Sequence, residues 1–316
     1  MDYIIFITSL AILIYGADLI ISQSEKVALR FGISEYIIGA TLIAFGTSLP
    51  EMAASISANL NGKPALSISN IVGSNILNIT LVLGIVLILS KNVKTRREFF
   101  EKDSSWALFP VLIFIAAIFG DRGEISQFVG FMFILLMFAY ILFLLRYDKD
   151  TLEIADINED ELKKDFNWLK TTIFLIVGFI MVVYGADYTV KSASSIAKSF
   201  GVSDWIVGVV LVALGTSMPE LVVSVSAALK GKADMAIGNI IGSNMANITM
   251  ALGMTALAKP IKLDFAQYSY DIATMLIATL MLVFITANKM YSKPAGISLL
   301  VLLGIFMEHI VNTFTK

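Results

Sequence analysis

The stretch Gly46-Thr47-Ser48-Leu49-Pro50-Glu51 returns 169 residues later as Gly215-Thr216-Ser217-Met218-Pro219-Glu220. The match extends outward from these segments. Without a gap it runs from Tyr15-Gly16-Ala17-Asp18 against Tyr184-Gly185-Ala186-Asp187 to Gly84 against Gly253, and 34 of the 70 aligned positions are identical. Chance gives only a few such matches, so the chain carries an internal duplication.

Both copies lie in apolar sequence. The 316 residues are 57% hydrophobic and 15% charged, against about 45–50% and about 25% in an ordinary soluble domain. At roughly 20 apolar residues per span, the chain holds ten helices, starting near residues 3, 34, 64, 104, 127, 171, 204, 233, 268 and 294. The expected fold class is all-α and polytopic, with a first repeat over 1–145, a linker over 146–170 and a second repeat over 171–316. Five helices per copy is an odd number, so the second copy enters the membrane from the opposite face. Inverted repeats point to alternating access, with the substrate site near the midplane where the copies meet.

Charge assigns the sides. Connections after odd-numbered helices hold 16 of the 23 lysines and arginines, which makes them cytoplasmic and puts both termini outside. The first helix follows acidic Asp2 and lacks a clear cleavage site, so it reads as a retained span. The polar stretch from Arg146 to Lys170 reads as a solvated cytoplasmic tether; it is acidic but lacks the spacing of a calcium-binding EF-hand loop. A net charge of -2 argues against nucleic acid as a partner. Zero cysteines and the single histidine, His309, exclude disulfides, thiolate metal sites and HExxH zinc chemistry.

Each repeated segment sits about halfway along its helix. Proline has no amide hydrogen for the residue four back, so Pro50 and Pro219 free the carbonyls of Gly46 and Gly215 and loosen those of Thr47 and Thr216. Unpaired backbone oxygen at membrane depth is tolerated where it lines a cavity or meets a ligand. Glu51 and Glu220 sharpen the point, because an ionised side chain at mid-membrane costs roughly 2.5–3.5 kcal/mol even on the lenient insertion scale. No lysine or arginine stands near mid-span to pair with them.

A second repeated segment, Gly73-Ser74-Asn75-Ile76-Leu77-Asn78 and Gly242-Ser243-Asn244-Met245-Ala246-Asn247, puts Ser74 with Asn78, and Ser243 with Asn247, on one helical face. Asn70, Asn75, Asn239 and Asn244 point elsewhere and read as packing residues. Carboxylates, hydroxyls, amide oxygens and free carbonyls form an all-oxygen set, which suits calcium, sodium or another hard cation rather than a soft metal. Asp18 and Asp187 form a further symmetric pair; steering, capping and gating contacts all fit, and Lys191 stands one turn from Asp187.

At these residues the chain resembles the calcium/cation antiporter superfamily, specifically its sodium/calcium exchanger branch of prokaryotic type. Both GTSxPE copies and both GSNxxN copies match that family's two alpha repeats, and the likeness covers nearly the whole chain. The resemblance implies a secondary antiporter with calcium and sodium as transported ions, in the cell membrane and with no cofactor. It implies side-chain ligands at Thr47, Ser48, Glu51, Ser74, Asn78, Thr216, Ser217, Glu220, Ser243 and Asn247, and backbone oxygens from Ala44 and Ala213. Some relatives carry aspartate at the position of Asn247, so asparagine leans towards potassium independence. Calcium/proton exchange through the same glutamates is the alternative within transport. An intramembrane enzyme is disfavoured by the symmetric pairing, since catalysis needs unlike roles for its groups.

Overall fold

The structure, a computed structural model, describes residues 1–89, 100–120, 123–148, 166–201, 204–263 and 265–314, with side chains outside the description at 100–105, 120, 147–148, 204–214 and 314. The described residues are mostly helical: α1 Asp2–Phe31, α2 Glu35–Leu60, α3 Pro64–Leu89, α4 Phe100–Gly120, α5 Gln127–Asp148, α6 Trp168–Ser199, α7 Asp204–Leu229, α8 Ala233–Ala258, α9 Phe265–Ala287 and α10 Lys293–Phe314. Eight of them are long and apolar enough to cross a membrane, and Trp106–Phe119 of α4 is a shorter apolar run. A short antiparallel pair, β1 Glu124–Ile125 with β2 Ile261–Lys262, ties the turn after α4 to the turn after α8. The expected linker is helical at its described ends, in α5 to Asp148 and in α6 from Trp168; its middle lies outside the described residues.

Local sequence sets the ends. Gly32 adopts a left-handed conformation after α1 (φ 63°) and its N–H bonds back to Ala28 and Leu29, while Ser34 caps α2 by accepting from Ile37 N at 3.3 Å. Gly62 and Gly231, equivalent in the duplication, both take positive φ (75° and 77°) in the tight turns α2–α3 and α7–α8. The backbone closes both turns alike, through Lys63 N to Ala58 O at 2.8 Å and Lys232 N to Ala227 O at 2.9 Å.

Packing follows the duplication too. α1 runs along α6, and glycines bring the two backbones together. A Cβ on Gly16 would stand 3.1 Å from Val182 Cγ2, and a Cβ on Gly185 would stand 2.9 Å from Leu13 Cα. Leu13 and Val182 are themselves equivalent positions, so the contact is matched to itself across the pair. Gly84 of α3 faces Gly296 of α10 backbone to backbone, and its equivalent Gly253 of α8 faces Gly130 of α5 in the same way. The most enclosed of the apolar helices, α3 and α8, stand at the centre with α2, while α1, α5, α6 and α10 expose broad apolar faces.

The two ends of the molecule are not equal. The α7–α8 turn is tied to α1 and α2 by ion pairs: Lys230 to Asp18 at 2.7 Å, and Lys232 to Glu35 at 2.7 Å and to Glu25. The equivalent of Lys230 is Asn61 and that of Glu25 is Ser194, so the α2–α3 turn lacks the charges for the same arrangement. Burial pushes the Lys232 ammonium down, but its bonds to Glu25 and Glu35 outweigh this and hold it above the ordinary lysine value. A raised lysine pKa gives stability present at lower pH and lost only as pH climbs through the folded value, so the contact is charged throughout the neutral range. Lys230 and Asp18 are each more than 40% exposed, so solvent screens them more strongly. Lys232→Gln should therefore lower the melting temperature in detergent by roughly 2–4 °C, and Lys230→Gln by clearly less; equal shifts from both would contradict this ranking.

Candidate functional site

The site begins where α2 fails to be a regular helix. Glu35–Ile38 is α-helical, Gly39–Ile43 is a π turn, Ala44–Thr47 is α-helical again, and the chain breaks at Ser48 (φ -87°, ψ 1°) before Leu49–Leu60. Ser48 N donates to Ala44 O at 3.0 Å and Met52 N donates to Ser48 O at 3.1 Å, and the interruption lies between these two rungs. Pro50 sits in the first turn of the lower segment, where its missing N–H costs least. The repeat does not break in the same way, because α7 continues through Pro219 as one helix. Identical residues thus take two backbone forms, and their neighbours differ: the ring of Phe179 lies directly over Gly46, whereas among the described residues Val190 is what stands within 4 Å of a Cβ on Gly215.

Glu51 and Glu220 are 1% and 0% exposed. Glu220 Oε1 accepts a hydrogen bond from Ser48 Oγ at 2.9 Å, across the two halves of the chain. Glu220 Oε2 and both carboxylate oxygens of Glu51 are buried with no partner among the described residues. The two carboxylates lie within electrostatic reach of each other, and Thr47 and Ser243 also approach that of Glu220. Among the described residues no lysine, arginine or histidine forms an ion pair with either glutamate.

Further buried oxygens lie on α3, α7 and α8. Ser74, Asn78, Ser217, Ser243 and Asn247 are all buried, and their side-chain polar atoms have no partner among the described residues. Asn78 opens the π turn Asn78–Leu83 of α3 and Asn247 opens the π turn Asn247–Ala251 of α8, a local distortion frequent at functional sites. Thr47 is fully buried, and its single hydroxyl hydrogen lies within reach of two acceptors, Ala44 O at 3.3 Å and Asn239 Oδ1 at 3.4 Å. When the hydroxyl serves Asn239, Ala44 O keeps one donor, Ser48 N at 3.0 Å. Thr216 is half-buried. Ala213 belongs to the stretch of α7 whose surroundings lie outside the described residues.

Burying an unpaired polar atom costs about 1–3 kcal/mol, and more for a charge, so a cluster of such atoms on facing helices marks a place built to meet something else. Among the described residues no three histidine, cysteine, aspartate or glutamate side chains come together. A cation held here therefore draws most of its shell from hydroxyl, amide and backbone oxygen around two carboxylates.

Residues read from the sequence as packing also touch the site. Asn70 Nδ2 donates to Ser55 Oγ at 2.9 Å and to Glu51 O at 3.2 Å, and the equivalent Asn239 Nδ2 donates to Ser224 Oγ at 2.9 Å. Ser55 and Ser224 escaped notice although they too repeat at the 169-residue offset. Among the described residues, Asn75 bonds to Ile71 O of its own helix, whereas the amide of Asn244 is buried without a partner. Asp187 pairs with Lys191 at 2.8 Å, while Asp18 reaches Lys230.

Comparison with known proteins bears on this arrangement. The family model described as sodium/calcium exchanger protein matches residues 1–146 and 170–311. The sodium/calcium exchanger MaX1 of Methanosarcina acetivorans is 30% identical, with 97% of each chain covered. An uncharacterized membrane protein of Methanocaldococcus jannaschii is 34% identical, with 94% of each covered. Among solved structures, the sodium-calcium exchanger NCX_Mj soaked without sodium or calcium superposes with a TM-score of 0.81 at 32% identity, covering 98% of both chains.

Two buried carboxylates repel each other when nothing lies between them. In ion-free detergent at pH 8, Glu51→Gln should raise the melting temperature by roughly 2–6 °C, because it removes a buried charge that lacks a counter-charge. A fall in melting temperature would show that Glu51 already has a stabilising partner.

Proposed function

The chain belongs to the sodium/calcium exchanger family, and on that premise we propose that this membrane protein exchanges calcium for sodium by alternating access, with both ions bound between α2, α3, α7 and α8. The scaffold in this reading is ten spans in two inverted repeats, 1–145 and 171–316, with the linker 146–170 cytoplasmic and both termini outside. The matched packing of Gly84 on Gly296 and Gly253 on Gly130 supports it. Glu51 and Glu220 are the charged ligands; Thr47, Ser48, Ser74, Asn78, Thr216, Ser217, Ser243 and Asn247 supply neutral oxygen, with Ala44 and Ala213 as backbone contributors.

The observation that carries this reading is the pair of buried carboxylates, three of whose four oxygens are unpaired among the described residues. One calcium, or two sodium ions, neutralises them. Without cations the pair carries two negative charges through the bilayer at a cost of about 5–7 kcal/mol, twice the single-residue figure. At about 1.4 kcal/mol per factor of ten, this penalty slows switching of the unloaded protein by roughly four orders of magnitude. The loaded protein switches and the unloaded one stays, so flux in one direction requires counterflux in the other. A third sodium per cycle would make the exchange sensitive to voltage, by about 2.3 kcal/mol per charge per 100 mV.

The test is calcium uptake into reconstituted vesicles under separately imposed gradients. An outward sodium gradient should drive radioactive calcium inward at constant pH, and a pH gradient without sodium should not. Glu51→Gln and Glu220→Gln should each lower the sodium-driven rate at least about 100-fold, the rate equivalent of losing one charged ligand. Uptake driven by protons alone would replace sodium with protons as the coupling ion. Rapid one-way calcium flux without any counter-ion would overturn exchange itself.

A further inference from the structure

The break in α2 separates two helical segments, Ala44–Thr47 above Ser48 and Leu49–Leu60 below it, which meet through the bonds of Ser48 N to Ala44 O and Met52 N to Ser48 O. Each carries a ligand of the proposed site, Thr47 in the upper segment and Glu51 in the lower. Each is also held from a neighbouring helix by an asparagine amide. Asn239 of α8 accepts from Thr47 Oγ1 at 3.4 Å, and Asn70 of α3 donates to Glu51 O at 3.2 Å. Each amide is in turn fixed by a serine at 2.9 Å, Asn239 by Ser224 and Asn70 by Ser55. Asn239, Ser55 and Ser224 are buried.

We infer that Asn70 and Asn239 are positioning residues for cation binding, clamping the two halves of the broken α2 so that Thr47 and Glu51 face one ion site. The inference rests on the exchanger reading above. Asn70 serves α2 alone, whereas Asn239 spans both repeated helices, meeting α7 at Ser224 and α2 at Thr47. α2 is interrupted at Ser48 while α7 is continuous through Pro219, so the segments that carry Thr47 and Glu51 are the ones a bond from another helix steadies. An amide suits the task because it donates and accepts at once. Asn239 uses its Nδ2 on Ser224 and its Oδ1 on Thr47, a pair of roles that neither a hydroxyl of that reach nor a carboxylate fills. Neither asparagine is among the proposed ligands; both act through α2. The serines act at one remove further, by fixing which way each amide faces.

Calcium binding to the detergent-solubilised full chain, followed by isothermal calorimetry, tests this without depending on transport. Ser224→Ala and Asn239→Ala should each weaken calcium binding about 3- to 10-fold, the equivalent of one buried hydrogen bond. The double variant should be no weaker than Asn239→Ala alone, because the serine works only through the amide. Ser224→Thr, which keeps the hydroxyl, should restore wild-type affinity. Should Ser224→Ala not fold, Ser55→Ala, Asn70→Ala and their double variant form the same cycle on the lower segment. Wild-type affinity in Ser224→Ala, or losses at Ser224 and Asn239 that multiply, would overturn the positioning role and leave the exchanger reading standing. A wild-type chain that binds no calcium would remove the exchanger reading and the positioning role with it.

Discussion

Two carboxylates held inside a membrane protein without a cationic side chain form the constraint from which the rest follows. Glu51 and Glu220 are almost completely buried, and among the described residues one of their four oxygens has a hydrogen-bond partner, the hydroxyl of Ser48. A folded chain that must insert into lipid has every reason to avoid such an arrangement, since each charge there costs kilocalories. It is tolerable where a mobile cation supplies the missing charge. In the exchanger reading, the break in α2, the π turns at Asn78 and Asn247 and the buried serines without partners among the described residues would supply the neutral oxygen around that cation.

A second feature is that the two duplicated stretches, about half identical in sequence, differ in conformation. A carrier open to one side needs unequal conformations in its repeats, and the inequality is visible in side chains that the duplication makes equivalent. Thr47 is fully buried while Thr216 is half-buried, α2 is broken while α7 is continuous, and the α7–α8 turn is tied down by Lys230 and Lys232. In the exchanger reading these differences describe one of two states, and the interface of α1 with α6 is where they would exchange. Gly16, Gly178 and Gly185 let the two backbones approach closely there.

Much of this was legible in the sequence because the signals are local or repeat. Apolar run lengths located the helices to within a few residues, and the offset of 169 residues paired Glu51 with Glu220 and Asn78 with Asn247. Proline chemistry marked Gly46 and Thr47 as the place where backbone pairing would weaken, and α2 breaks beside them. The same rule gave no hint that α7 would remain whole, since Pro50 and Pro219 read alike in the sequence while their tertiary surroundings differ, with Phe179 over Gly46 and, among the described residues, Val190 near Gly215. The roles of Asn70 and Asn239 were hidden for a related reason. Their faces on α3 and α8 were readable, but the serines that orient them belong to other helices, and only the tertiary fold brings them within 2.9 Å. Ion pairs such as Lys232 with Glu25 and Glu35 join residues some 200 positions apart, a distance over which sequence pattern carries no geometry.

The most direct measurement is diffraction from crystals of the protein grown with calcium and then exchanged into strontium, read by anomalous scattering. The account predicts a peak bounded by α2, α3, α7 and α8, about 2.3–2.6 Å from carboxylate oxygens of both Glu51 and Glu220, which sodium in excess displaces. A peak that touches only one glutamate, or none in that region while the ion binds elsewhere on the chain, would contradict it.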